Sequence, residues 1–435
     1  MRLKWFITAV YTIVATILFY LLAHHIDRTA FGSLLCCFIA LFAGAYAMVS
    51  QVEGKYMFGV LLTLGFLFRL IQVFALPELS DDYFRFVWDG MLSASGESPY
   101  AYLPVDVPPG LLEPGLLTRM NSPEYYSVYP ALNQSIYWLS VELGKTTYGA
   151  VVVMKCLMLT TEVGTVAFLY ALVKKWSLPT KLVLYYALNP LVIMEFVGNL
   201  HFEGYMVFFL VFAVYLFQKE YLVFGAIAMA CAINLKILPV VFVPLLWRRL
   251  KFKGSLIVTT VIILVCVVQF IPFYTSNMIA HILASTKLYF GNFEFNSSIY
   301  QWIYSIPFHW KPLFTNSLKV VFLVVYGWYY LKIDDRSWQG LFKSIFILFA
   351  VYFFLASSVH PWYVTALLPF GLVCGLRFVE IWMLMLPLTY ITYRTNNYEQ
   401  APVLILLEYL VVFAVVAWEW NSRNWSIKKG PKPFN

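Results

Sequence analysis

Apolar runs of about 20 residues recur along almost the whole chain, each long enough to cross the hydrocarbon core of a bilayer. They fall at about 5–23, 31–50, 57–76, 148–173, 181–198, 203–218, 255–274, 315–332, 341–358, 363–377, 379–394 and 402–420. No soluble fold can bury so many. Hydrophobic residues make up 61% and charged residues 12% of 435 positions, against ~45–50% and ~25% in soluble domains. The expectation is an all-α polytopic membrane protein of about 12–14 transmembrane helices, with residues 1–435 forming a single catalytic domain.

The net charge of +8 does not indicate nucleic-acid binding, because the basic residues sit in short loops between apolar runs and so orient helices. Arg2 and Lys4 place the N-terminus in the cytoplasm. Lys55, Lys174/Lys175/Lys181, Lys219, Arg248/Arg249, Lys251/Lys253, Lys332, Arg336, Lys343, Arg377 and Lys428/Lys429/Lys432 then share that side. This holds if 126–143 does not span and if 221–247 goes out and back. In that segment Asn234, Lys236 and Pro239 interrupt the apolar run, which suits two short helices meeting in a hairpin that lines a cavity. The basic, apolar N-terminus lacks a small-residue cleavage site and reads as an uncleaved first helix. Cys36, Cys37, Cys156, Cys231, Cys266 and Cys374 lie in apolar runs without metal-ligand spacing and read as small hydrophobes.

This topology collects the polar chemistry on the outer face. Leu76–Thr147 forms a large first outer loop (acidic over 77–147), followed by the Glu195–Glu203 turn, the Lys236 hairpin tip, the 275–314 loop, Ser357–Tyr363 and Tyr393–Gln400. The cytoplasmic loops carry no phosphate-binding glycine loop or dinucleotide fingerprint. At the root of the first outer loop, LSDDYFRFVWDG puts Asp81, Asp82, Arg85 and Asp89 at a membrane edge, where carboxylates are costly unless solvated or used. If Ser80 caps a surface helix there, Asp82, Arg85, Phe86 and Asp89 share one face and Asp81 points elsewhere. Helix capping and an i,i+4 Arg85–Asp89 pair would explain the same residues without chemistry.

The segment continues GESPYAYLP, and Tyr129–Gln134 reads YPALNQ. DDYFRFVWDG followed by this Gly-x-x-Pro-Tyr turn and a Tyr-Pro segment resembles the first outer loop of the GT-C superfamily. It is most similar to the polyprenol-phosphate-mannose-dependent mannosyltransferases and the first mannosyltransferase of GPI-anchor synthesis. Three further patches resemble the same group. They are Asn189-Pro190-Leu191 through Glu195, Gly198-Asn199, His201 and Glu203; Leu235-Lys236-x-x-Pro239; and His360-Pro361-Trp362-Tyr363. Two features depart from it. The acidic pair Asp81-Asp82 is adjacent rather than separated by one residue, and two predicted helices precede the one leading into the acidic loop.

The resemblance implies a glycosyltransferase of the bacterial inner (plasma) membrane, with both termini cytoplasmic and the active site outside. It would move a hexose, mannose by the resemblance, from a polyprenyl-phosphate donor to a glycan or lipid acceptor with inversion. Asp81 or Asp82 would be the catalytic base. Cationic stabilisation of the leaving phosphate would come from Lys236, Arg85 or Arg394. A divalent cation, Mg²⁺ or Mn²⁺ on Asp81 and Asp82, is the other route. Asp89, Tyr100, Glu195, His201, Glu203, His360, Trp362 and Tyr363 complete the substrate-binding set. For Lys236 the plain alternative is a snorkelling lysine, for His201 and Glu203 a solvated loop, and for His360, Trp362 and Tyr363 an interfacial belt. His281 and His309 read as loop residues, and Glu162 and Glu408 as partners inside the bundle. A flippase of lipid or lipid-linked sugar would share the helices and the broken hairpin, but would show internal repeats, which this sequence lacks.

Overall fold

The computed structural model describes residues 2–107, 115–305, 311–395 and 397–422. His309 and Lys428, Lys429 and Lys432 lie outside them. The protein is an all-α polytopic membrane protein. Among the described residues, seven helices are long and apolar enough to cross a bilayer: Leu3–His24, Phe31–Ser50, Gly54–Val73, Thr147–Lys175, Phe252–Phe273, Trp338–Leu355 and Pro402–Ser422. An eighth candidate is bent by 109° between Val192–Gly198 and Glu203–Gln218.

Where the expected runs contain proline, they appear as shorter pieces, because proline lacks the donor and crowds the preceding turn. The run 181–198 becomes Leu182–Ala187, then Asn189-Pro190, then a wide π-turn over Val192–Gly198. The Asn189 side chain accepts from the Leu191 and Val192 amides freed by that break. The expected hairpin is present as Leu222–Ile233, a 3₁₀ turn Leu238–Phe242 and Val243–Trp247. Runs 363–377 and 379–394 are divided among Pro361–Thr365, Leu368–Cys374, Phe378–Met385 and the 3₁₀ stretch Leu386–Arg394. The run 315–332 lies in the helix Lys311–Lys332.

Buried polar side chains tie the bundle together. Arg69 pairs with Glu162 at 2.9 Å, both fully buried, and Tyr186 donates to the other Glu162 oxygen. Glu408 takes hydrogen bonds from Asn296 and Trp382. Both glutamates therefore pair inside the bundle, as their place in apolar runs suggests. Gly65 lets Gly54–Val73 approach Leu182–Ala187 closely, since a Cβ there would lie 2.6 Å from the Ala187 carbonyl.

Two helices of the acidic loop pack on the same principle. Asp82–Ala94 lies on Ala131–Gly144, and a Cβ at Gly90 would meet the Tyr137 carbonyl at 2.6 Å. The glycine of the DG pair thus serves close packing. Beside it, Phe86 stacks on Tyr137 (4.7 Å between centroids), and Phe202 meets both rings edge-on. This aromatic cluster joins the acidic helix, the YPALNQ helix and the bent turn.

Candidate active site

The acidic helix begins at Asp82, with Asp81 in the capping position, but no side-chain capping bond forms there. Ser80 Oγ instead accepts from the Asp82 amide at 3.3 Å. Asp81 is engaged elsewhere. Arg28, from the short loop after the first helix, binds both its carboxylate oxygens at 2.8 and 2.9 Å. Tyr398 also donates to Asp81, and the Arg28 guanidinium lies over the Tyr393 and Tyr398 rings. Asp82 is partly exposed and accepts one hydrogen bond on one oxygen, from Asn121 Nδ2 at 2.7 Å.

Farther along this helix the polar residues are anchors. Asp89 is fully buried and takes bonds from Arg85 Nε (2.9 Å), Ser127 Oγ and Gln134 Nε2 (2.8 Å). Arg85 also donates to the Ser122 and Tyr125 carbonyls. Tyr100, buried, donates to the Tyr129 carbonyl, and Ser98 to the Phe273 carbonyl. These contacts shape the loop rather than offer Arg85, Asp89 or Tyr100 to a ligand. His281 belongs to the same scaffold, bonded to the Tyr100 carbonyl and stacked on Tyr126.

The bent turn supplies the second group. Glu195 is fully buried in the π-turn, with one oxygen 2.8 Å from His201 Nδ1 and the other accepting from Tyr390. Trp362 lies parallel to His201 at 3.6 Å and to His360 at 4.3 Å, and His360 is parallel to Phe295 at 4.5 Å. With two imidazoles stacked on it and little exposure, Trp362 has no open face for a sugar ring. Burial, with His201 and Lys236 nearby, pushes His360 down to about 3, so its ring stays neutral. Glu203, two residues past His201, pairs with Lys236 at 2.8 Å. Lys236 keeps 29% of its side chain exposed. The YPALNQ segment sets that lysine in place, because Asn133 donates to the Leu235 carbonyl and Leu132 N to that of Asn234.

Three long-range contacts fasten these groups to one end of the bundle. Lys155, fully buried, donates to the carbonyls of Gln72 (3.0 Å), Ala75 (2.6 Å) and Gly198 (2.6 Å). Asn199 Oδ1 accepts from the Leu79 amide, and Tyr393 donates to the Leu79 carbonyl. The root of the acidic loop is thereby tied to the bent turn. Half-buried Tyr393 has Glu195, Asp82, Arg28 and Asp81 all within electrostatic reach.

A family model described as Alpha-(1->6)-mannopyranosyltransferase, N-terminal domain, matches residues 8–249, more than half of the chain. The chain belongs to this mannosyltransferase family. Comparison with curated proteins finds no match. The family supports a mannosyl glycosyltransferase, a coarser statement than the two groups of relatives whose motifs the sequence resembles. The matched segment carries Arg28, Asp81, Asp82, Glu195, His201, Glu203 and Lys236. Residues beyond it close the candidate site, with Tyr390 on Glu195 and Trp362 on His201.

Among the described residues, no group of three or more His, Cys, Asp or Glu side chains is placed to hold a metal. Asp81 has both oxygens on a guanidinium and Asp82 has one on an amide, so the pair does not present a ready ligand set. Arg394 is exposed, and Tyr363 packs against Phe353 and His360. Sequence reasoning missed Arg28, Asn121, Lys155, Tyr390 and Tyr393. Signals existed for Arg28, as a basic residue in a loop that the charge rule puts on the outer side, and for Lys155, as a charged residue inside an apolar run.

Proposed function

We propose that this protein transfers a mannosyl residue from a polyprenyl-phosphate donor to a hydroxyl of a glycan or lipid acceptor, in a GT-C-type site on the non-cytoplasmic side. The observation that carries the reading is a partly exposed carboxylate, Asp82, and a partly exposed cation, Lys236, on two elements that both contact the helix Ala131–Gly144. Both belong to one buried framework, since Tyr137, raised well above its usual range mainly by burial, also feels Asp82 and the Glu203 partner of Lys236.

Asp82 serves as the base. Its unbonded oxygen takes the proton of the acceptor hydroxyl as that oxygen bonds to the anomeric carbon. The bond between that carbon and the phosphate oxygen breaks on the opposite side, and the electron pair leaves with the lipid phosphate. Lys236 faces that developing charge, where a compact cation in a water-poor groove is most effective. Arg28 neutralises Asp81, so that Asp82 does not share its site with a second bare carboxylate. Inversion at the anomeric carbon makes an α-linkage from a β-linked donor, which suits the α-(1→6) product in the family's description.

Detergent-purified protein supplied with polyprenyl-phosphate mannose and a mannoside acceptor should release polyprenyl phosphate and form a new glycosidic bond. Lys236→Ala should reduce that rate by ~10²-fold or more. Movement of the lipid in sealed vesicles without product in detergent would instead indicate a flippase.

The outer placement has its own test. In a cysteine-free background, Cys at Ser95 should react with an impermeant thiol reagent in intact cells, and Cys at Lys251 should not. Both positions are exposed on the protein. The reverse labelling pattern would put the site in the cytoplasm and remove a lumenal or periplasmic donor from consideration.

A further inference from the structure

The turn between the π-segment and Glu203–Gln218 carries more polar capacity than the protein uses. Asn199, His201 and Glu203 are only 2%, 2% and 3% exposed. Each is fixed through one polar atom: Asn199 Oδ1 to the Leu79 amide, His201 Nδ1 beside Glu195, and Glu203 Oε1 to Lys236. Each also leaves its other polar atom buried and without a partner, namely Asn199 Nδ2, His201 Nε2 and Glu203 Oε2. Unpaired buried polar atoms are costly, and three on one five-residue turn call for a ligand. The turn is also held rigidly. Leu200 is kept in the left-handed region at φ 61°, uncommon for such a side chain, and His201 is clamped by Trp362.

We propose that the Asn199–Glu203 turn reads the ring hydroxyls of the donor's mannosyl group, with Asn199 Nδ2 donating and His201 Nε2 and Glu203 Oε2 accepting. This inference rests on the mannosyl transfer proposed above. One donor beside two acceptors suits hydroxyl groups, which do both, and does not suit a phosphate, which only accepts. The phosphate belongs instead on Lys236, whose partly exposed ammonium adjoins the same glutamate. The helix Ala131–Gly144 also leaves buried atoms unpaired, at Asn133, Gln134, Tyr137 and Ser140, but these are spread along about two turns of helix rather than gathered on one turn. Since Trp362 is covered, hydrogen bonding rather than ring stacking does the recognition. Glu195 and Tyr390 act as positioning residues, holding the imidazole with its Nε2 lone pair turned to the sugar.

The test pairs monodeoxy donors with variants of the turn, using the purified full chain in detergent and polyprenyl-phosphate mannose lacking its 2-, 3-, 4- or 6-hydroxyl. A site built to bond hydroxyls rejects analogues lacking them strongly. Wild-type kcat/KM should therefore fall by at least ~10²-fold for at least one deoxy donor. His201→Ala or Glu203→Ala should lose activity on the full donor yet discriminate against that deoxy donor less than ~10-fold, because the partner atom is already gone. Should a variant fail to fold, wild-type discrimination among the four donors decides alone, and equal rates on all would overturn the proposal. Losses that multiply independently would overturn it too, while leaving mannosyl transfer intact. Absence of any transfer by wild type from the full donor would sink the proposed reaction, and this inference with it.

Discussion

Asp82→Asn should lower mannosyl transfer by ~10²–10⁴-fold, the usual consequence of losing a general base, with the melting temperature in detergent unchanged. The substitution is isosteric, and the amide oxygen of Asn can still accept from Asn121, the one side chain bonded to Asp82. Stability therefore has little to lose. Asp81→Asn is the informative companion. It weakens a partly exposed ion pair with Arg28 without removing it, since the amide oxygen can still accept from the guanidinium. Its effect on transfer should be smaller, acting through a looser hold of Arg28 on the loop root. Rates for the two variants with the same donor and acceptor settle the assignment. A dead Asp81→Asn beside an active Asp82→Asn would move the base to Asp81. Two active but less stable variants would return the acidic pair to a purely structural role.

Lys155→Met should produce the largest loss of stability of any single change at this end of the molecule. Methionine approximates the length of the lysine stem but cannot donate, so three carbonyls of Gln72, Ala75 and Gly198 lose their ammonium partner together. A buried acceptor left unsatisfied costs ~1–3 kcal/mol, so the total should reach several kcal/mol even after partial relaxation. The Gln72 carbonyl is in the last turn of the helix that leads into the acidic loop, that of Ala75 lies just beyond it, and that of Gly198 ends the π-turn that carries Glu195. Activity should therefore fall with stability. Thermal unfolding in detergent would read both the variant and a control, Lys251→Ala. The control removes an exposed lysine and should leave the melting temperature close to wild type. If Lys155→Met melts like wild type, the idea that Lys155 holds the two halves of the site together is wrong.

The acidic helix shows where local reasoning was sufficient and where it was not. The spacing of Arg85 and Asp89 predicts an i,i+4 pair, and the pair forms. Whether it serves a ligand depends on its surroundings, and those come from Ser127 and Gln134, 38 and 45 residues beyond Asp89. The YPALNQ segment resembles a family signature, yet its Asn and Gln act as clamps, one on the Lys236 hairpin and one on Asp89. Trp362 looks like a sugar platform until His201 and His360 are seen stacked on it.

From the sequence alone come the membrane class, the helical nature, the break within 221–247 and the acidic loop with its short helices. All of these follow from quantities summed over neighbouring residues: apolar length, proline geometry and loop charge. The partners could not follow from such sums. Arg28 meets Asp81 across 53 positions, and Tyr390 meets Glu195 across 195. Side chains so distant in the chain are brought together only by helix packing, which brings Gly65 and Gly90 against neighbouring backbone and buries Lys155 at the joint. Which carboxylate stays open for chemistry and which is neutralised is thus decided by tertiary contact, because the cost of a bare charge depends on what the fold places within a few ångströms of it.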